Sequence, residues 1–257
     1  QEPKIGSGPS GVDTMYSKEQ FAKLMDSTLL KPTATHENII RLCEEAKSYH
    51  FATVVVLPFW LPIVRRELQD SDVKPATVVG FPFGGNGRSV KVFEARTAIS
   101  NGAKELDVVI NIGALKSGER NIVESEIREL VDTARLTGMT QDAKRTVLKF
   151  IIECYYLTDD EKKIACEIIR DAGGDFVKTS TGTAPGGATV EDIRLIRQIV
   201  GPDMGVKAAG GIRTTEQAMA MLDAGASRIG TSNAAAIVEG YVPEDYLESA
   251  GRRGRHS

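Results

Sequence analysis

From Ser17 onward, short apolar runs rich in β-branched residues alternate with longer amphipathic segments, and the alternation repeats eight times. It predicts strands near Asp26–Thr28, Thr53–Leu57, Ala76–Phe81, Glu105–Asn111, Val147–Glu153, Phe176–Thr179, Gly205–Ala209 and Arg228–Gly230. Their starts advance at about 29 residues per step, the length of a βα unit closed into a ring. Helix starts are marked by Thr35, Thr158, Thr189 and Thr214, each followed by acidic or apolar-periodic residues, and ends by Gly102, Gly138, Gly173, Gly201 and Gly225. The strands read as continuous apolar runs, as expected of a parallel sheet covered by helices. A flat doubly wound sheet gives a similar local pattern. The eightfold count, and the glycines gathered after the last three strands, favour an α/β fold of one domain, a (β/α)8 TIM barrel over residues 15–250. Residues 1–14, rich in Gly, Ser and Pro, read as a leader or disordered arm, and residues 251–257 as a loose tail.

Composition narrows the class. Of 257 residues, 41% are hydrophobic and 26% charged, which excludes fibrous and disordered chains. A net charge of −3 argues against a nucleic-acid binder, while small anions need only local donors. Cys43, Cys154 and Cys166 form no CxxC pair and read as reduced thiols of a cytoplasmic protein. There is no apolar run of about 18 residues to span a membrane, nor a secretory signal at the amino end. His36, His50 and His256 neither cluster nor fall at strand ends, so the pattern implies no metal and no histidine-based triad.

In a barrel the ligand site lies at the carboxyl ends of the strands. The polar residues the pattern brings there are Asp26 and Thr28, Asp107 and Asn111, Lys149 and Glu153, Lys178, and Lys207. Three lysines in successive core strands require explanation, because lysine is rarely buried without a partner. A lysine amine attacks a carbonyl only when neutral, and bringing its pKa from ~10.4 to about 7 means destabilising the ammonium by roughly 4 kcal/mol. Burial and a neighbouring positive charge supply that. Lys178 and Lys207, at equivalent depths in adjacent strands, meet both conditions. Asp107, among apolar neighbours, would stay ionised beside them, hold one protonated and relay protons. Two blander readings stand beside this: Asp107 forms only a structural ion pair with Lys149, or one or more lysines extend to the rim.

Glycine-rich turns follow strands six to eight, at Thr179-Ser180-Thr181-Gly182, Gly210-Gly211-Ile212-Arg213 and Gly230-Thr231-Ser232. Glycine lets backbone N–H groups approach an anion, so three consecutive turns beside two lysines point to a phosphorylated small molecule rather than to ordinary turns. Asp159-Asp160-Glu161 reads as a solvated helix start. Phe81 to Gly87 is either a lip over the site or a turn. Tyr241 and Tyr246 either pack the last helix or reach the mouth as proton donors. Arg252, Arg253 and Arg255 are too few for nucleic acid.

The chain resembles the deoxyribose-phosphate aldolase family of Schiff-base aldolases from about Asp26 to Glu239. The resemblance rests on Phe176-Val177-Lys178-Thr179-Ser180-Thr181-Gly182, Gly186-Gly187-Ala188-Thr189, Val206-Lys207-Ala208-Ala209-Gly210-Gly211-Ile212-Arg213, Glu105-Leu106-Asp107-Val108-Val109-Ile110-Asn111 and Thr28-Leu29-Leu30-Lys31-Pro32. It implies reversible cleavage of 2-deoxyribose 5-phosphate to glyceraldehyde 3-phosphate and acetaldehyde, with no cofactor. It further implies that Lys178 forms the Schiff base, that Lys207 depresses its pKa and that Asp107 relays protons. By the same resemblance, Asp26, Thr28, Lys149 and Thr179 surround the substrate, and Gly182, Gly210, Gly211, Gly230, Thr231 and Ser232 hold its phosphate. A cytoplasmic homodimer or homotetramer working in nucleoside catabolism is the family expectation.

Two motifs depart from the family. Asp26-Ser27-Thr28 stands where the family usually has Asp-His-Thr or a close variant, and Val55-Val56-Leu57-Pro58 where it has Cys-x-Asn-Pro or Cys-x-Tyr-Pro. Facing the substrate, Leu57 would favour a less hydroxylated acceptor aldehyde. The readings that stand are therefore the family's own aldolase, a related aldolase with another acceptor, and a silent sugar-phosphate-binding barrel.

Overall fold

The computed structural model describes residues 16–139 and 145–243. The leader, the tail with its arginines and His256, and Tyr246 lie outside the described residues. Eight parallel strands pair in chain order and close into a barrel. They are β1 (Met25–Leu29), β2 (Thr53–Val56), β3 (Lys74–Val79), β4 (Glu105–Val109), β5 (Val147–Ile151), β6 (Phe176–Lys178), β7 (Gly205–Ala209) and β8 (Arg228–Thr231). The helices are α1 (Lys18–Ala22), α2 (His36–Tyr49), α3 (Leu61–Glu67), α4 (Arg88–Ser100), α5 (Ile112–Lys116), α6 (Arg120–Met139), α7 (Asp159–Ala172), α8 (Val190–Val200), α9 (Thr215–Asp223) and α10 (Ala234–Glu239). None of the helices is long and apolar enough to cross a membrane among the described residues.

Threonine starts four of these helices for one reason. The side chains of Thr35, Thr158, Thr189 and Thr214 accept the third backbone N–H of α2, α7, α8 and α9, satisfying a donor that the first turn leaves orphaned. Asp159, Asp160 and Glu161 occupy the first turn of α7, where the helix dipole favours acids. Gly173 closes α7 in the left-handed region and Gly201 follows α8, while α2 ends on a left-handed His50. Gly138 falls at the end of α6 as described, one residue before Met139, and the helix buries a face of Val123, Ile127, Leu130 and Ala134.

Side chains alternate across each strand. Val54, Val56, Leu106, Val108, Phe150, Val177 and Val206 point outward into the main core under the helices. Those between them point into the barrel, where β2 and β3 supply an apolar sector, Val55, Ala76 and Val78. The interior of β4 to β8 and β1 is charged. The expected strand ends are shorter than the apolar runs: Asn111 caps α5, its side chain accepting the Ala114 N–H, and Glu153 lies past β5 with φ 55° and ψ 67°. Cys43, Cys154 and Cys166 are free and buried, and burial pushes all three thiols up. Tyr241 is a packing residue. Its ring stacks on Phe21 at 4.2 Å and its hydroxyl donates to the Tyr16 carbonyl at 3.0 Å.

Two contacts fasten the outlet of β4. Fully buried Lys91 of α4 donates to Glu126 of α6 at 2.7 Å and to the Val109 carbonyl at 2.9 Å. The turn after β3 packs so closely that a Cβ on Gly84, at φ 67°, would lie 1.9 Å from the Ile110 carbonyl oxygen. The segment Phe81 to Gly87 is therefore seated at Gly84, while Phe83 and residues 85–87 are exposed. Gly84→Ala is expected to destabilise the protein by about 1–3 kcal/mol in urea unfolding, through strain at a left-handed position with no room; an unchanged midpoint would contradict this packing.

Candidate active site

Register brings the lysines together. Asp107 pairs across β4 and β5 with Lys149, and Lys178 across β6 and β7 with Lys207. All four side chains point inward. Lys178 and Lys207 each donate to Asp107 Oδ2 at 2.7 Å, and Lys149 donates to Oδ1 at 2.9 Å. Asp107 thus carries both relationships that the chain pattern left open, the pair with Lys149 and the contact with the other two lysines. None of the three lysines extends to the rim, since their side chains are 0–3% exposed.

Below this layer the network continues. Lys207 also meets Asp26 at 2.6 Å, and Lys149 meets Glu105 at 2.7 Å and Asp26 at 3.3 Å. Arg228 bridges Asp26 at 2.7 Å and Glu105 at 3.2 Å, with its guanidinium 5.4 Å from the centre of the Phe176 ring. Arg228 and Glu105 were not singled out from the sequence. Each is the first residue of its strand, a position where a charge ordinarily meets solvent, and only barrel closure turns it inward. Four formally cationic side chains, Lys149, Lys178, Lys207 and Arg228, therefore face three carboxylates, Asp26, Glu105 and Asp107, all buried except Arg228, whose side chain is 15% exposed.

Among the contacting groups the formal count is four cations to three carboxylates, the buried Glu153 carboxylate adds its field at Lys178, and the surroundings decide where a proton is given up. Burial opposes ionisation of Asp107 and Asp26, but the cations around each outweigh it and hold both well below the usual carboxylate range. Burial also works against the Lys149 ammonium, yet Asp107, Asp26 and Glu105 more than compensate and raise its pKa. Lys178 differs. It has only Asp107 as a carboxylate partner, and burial, together with the ammonium of Lys207, lowers its pKa to about 8. It is also the last residue of its strand, nearest the mouth.

The remaining candidates sort by what their side chains already hold. Thr28 is half-buried, its hydroxyl donating to the Asp26 carbonyl at 2.9 Å. The Thr179 hydroxyl is engaged with the backbone of Ala209, donating to its carbonyl at 3.2 Å and accepting its N–H at 3.1 Å. The Thr231 hydroxyl donates to the Ile212 carbonyl at 2.7 Å. Gly230 lies within β8, and a Cβ there would come 2.8 Å from Lys207 Cε, so its missing side chain makes room for that lysine. Ser232 is exposed, donates to Asn233, and borders an outer cleft of about 410 Å³ with Glu45, Tyr49 and Glu239. Gly182, Gly210 and Gly211 all adopt left-handed backbone, at φ 87°, 87° and 79°. The loops after β6 and β7 touch there: Ala188 donates its N–H to the carbonyls of Ala209 and Gly210, and a Cβ on Gly187 would lie 2.2 Å from the Gly210 oxygen. Ser180, among these turns, has a buried hydroxyl with no partner among the described residues. On the opposite side of the mouth Leu57, Leu30 and Phe81 extend the apolar sector of Val55 and Val78.

This arrangement can do carbonyl chemistry: an amine poised to lose its proton, a carboxylate and an ammonium beside it to move protons, and a glycine-lined rim for an anion. Known proteins point the same way. The profile of the DeoC/LacD family aldolases matches residues 20–239. The deoxyribose-phosphate aldolase of Thermococcus gammatolerans is 56% identical over 222 residues, covering 86% of this chain and 96% of the relative. That of Thermococcus kodakarensis is 54% identical over 230 residues, covering 89% and 100%. A tetrameric deoxyribose phosphate aldolase structure from Aeropyrum pernix superposes with a TM-score of 0.79 at 36% identity, covering 87% of this chain and 91% of that one.

Lys207→Met removes the neighbouring ammonium and one of the groups competing for Asp107. The Lys178 pKa is therefore expected to rise above about 8, read as a shift to higher pH of its amine labelling in peptide mass spectrometry. A labelling curve that stays put or moves to lower pH would contradict the electrostatic account.

Proposed function

The chain belongs to the DeoC/LacD aldolase family, and from that premise we propose that it cleaves 2-deoxyribose 5-phosphate reversibly to glyceraldehyde 3-phosphate and acetaldehyde. The observation that carries the mechanism is the contact of Lys178 and Lys207 with one oxygen of Asp107, each at 2.7 Å. Neutral Lys178 adds to the aldehyde carbon of the open-chain sugar, giving a carbinolamine that loses water to an iminium. The iminium draws electrons from the C2–C3 bond as the C3 hydroxyl loses its proton. Glyceraldehyde 3-phosphate leaves, and the remaining enamine is protonated at C2 and hydrolysed to acetaldehyde and free Lys178. The protonated imine is itself the electron sink, so the scheme uses no cofactor.

Asp107 suits the proton relay because its carboxylate already links both lysines. Lys207, tied to Asp26 as well, remains the cationic neighbour that keeps Lys178 poised. Asp26, Thr28 and Lys149 frame the substrate's polar side. Gly182, Gly210, Gly211, Gly230, Thr231 and Ser232 take the phosphate through backbone N–H groups, with the side chains of Thr179 and Thr231 spent on holding the loops. The proposal includes a cytoplasmic homodimer or homotetramer working in the cleavage direction. Exposed Phe59, Phe83 and Phe93 support self-association, as does the tetrameric Aeropyrum pernix relative.

Borohydride reduction with acetaldehyde is expected to leave an ethyl group on Lys178, found by peptide mass spectrometry and absent from Lys178→Ala. An adduct on Lys207 would reverse the two roles, and no adduct with retained sugar-phosphate binding would leave only a binding barrel. A second reading rests on Leu57 in the apolar sector of the mouth. Leu57→Asn is expected to shift kcat/KM toward hydroxylated acceptor aldehydes by up to about tenfold, and unchanged ratios would exclude Leu57 from acceptor choice.

A further inference from the structure

We propose that Glu153 is a positioning residue that shapes the phosphate end of the site, acting through the loop after β6; this rests on the aldolase reading above. Glu153 follows β5 by two residues, with φ 55° and ψ 67°. A residue with a Cβ keeps that conformation only where its surroundings hold it, and such residues gather at functional sites. Its carbonyl accepts the Tyr156 N–H at 3.1 Å, and its side chain adds a second restraint. The carboxylate, on a residue only 2% exposed, accepts the Thr181 N–H at 3.2 Å and the Thr181 hydroxyl at 2.5 Å. The Thr181 oxygen in turn contacts the Thr183 hydroxyl at 2.8 Å and accepts the Thr183 N–H at 3.1 Å.

These bonds run from Glu153 through Thr181 to Thr183 and enclose Gly182, whose left-handed backbone stands in open space at the rim. The root of the same loop is fixed separately. Thr179 is tied to Ala209 through its hydroxyl, and its carbonyl accepts the Cys154 N–H at 2.9 Å. Lys178 therefore stands on the fixed root, whereas the shape of the tip depends on one buried carboxylate. Loss of that carboxylate frees Gly182 and its neighbours to leave the geometry that presents their N–H groups to an anion and breaks no hydrogen bond of the lysine cluster; it also removes a charge that acts on Lys178, which Thr181→Val keeps, so that variant separates the two effects.

The test compares wild type, Glu153→Ala, Glu153→Gln and Thr181→Val. Binding of inorganic phosphate, read by calorimetry, is expected to weaken about tenfold or more in Glu153→Ala, with Glu153→Gln recovering part of the loss because one acceptor oxygen remains. KM for 2-deoxyribose 5-phosphate is expected to rise by a similar factor while KM for unphosphorylated 2-deoxyribose stays within about twofold. Thr181→Val breaks the same chain from the loop side and is expected to show the same split, which keeps the test decisive should Glu153→Ala fail to fold. Unchanged phosphate binding, or an equal rise in both KM values, would overturn the proposal. Acetaldehyde trapping on wild-type Lys178 reports separately on the aldolase reading, since phosphate binding does not depend on the imine.

Discussion

The site is organised by a single carboxylate that three ammonium groups share. Asp107 meets Lys149 through one oxygen and Lys178 and Lys207 through the other, and the remaining acids, Asp26 and Glu105, are taken up by Lys149, Lys207 and Arg228. In this largely buried interior the contacting groups number four formal cations and three anions, with the Glu153 carboxylate near enough to act on Lys178 as well. A proton is most easily lost where carboxylate contacts are fewest, at Lys178. The lowered pKa of Lys178 thus reflects all of its surroundings, not one neighbour. Buried ion pairs of this kind contribute little to stability, because desolvation consumes most of the Coulombic gain. The fold tolerates them because the outer core between strands and helices is apolar and continuous.

The barrel supplies this arrangement through closure and register. Parallel strands in chain order bring Asp107, 71 residues before Lys178 and 100 before Lys207, within hydrogen-bond reach of both. The division of the interior into a charged sector and an apolar one gives the site two walls of different character. The charged wall is the one that the proposed reaction uses to move protons. The apolar wall ends at Leu30, Leu57 and Phe81.

Much of this was legible in the chain. Eightfold repetition at barrel spacing gave the architecture, and lysines inside apolar strand runs marked β5, β6 and β7 as unusual, because a buried ammonium demands a partner. What the chain could not reveal depends on contacts distant in sequence. Arg228 and Glu105 sit at strand starts and look solvated until the ring closes. Glu153 reads as a strand residue, since nothing local announces its left-handed backbone; only its bonds to Thr181 do. Gly230 reads in the chain as part of a phosphate turn, and only the folded barrel shows that its missing Cβ also makes room for Lys207.

The most direct test is the titration of Lys178 itself, by NMR of protein carrying ¹³C at the lysine ε-carbon and assigned with Lys178→Arg. The account predicts a midpoint near 8, which leaves about a tenth of the amine neutral at pH 7, against about three in ten thousand at the ordinary value. A Lys178 midpoint at or above 10.5 would contradict it, because the shared carboxylate would then be stabilising the ammonium rather than leaving it poised to react.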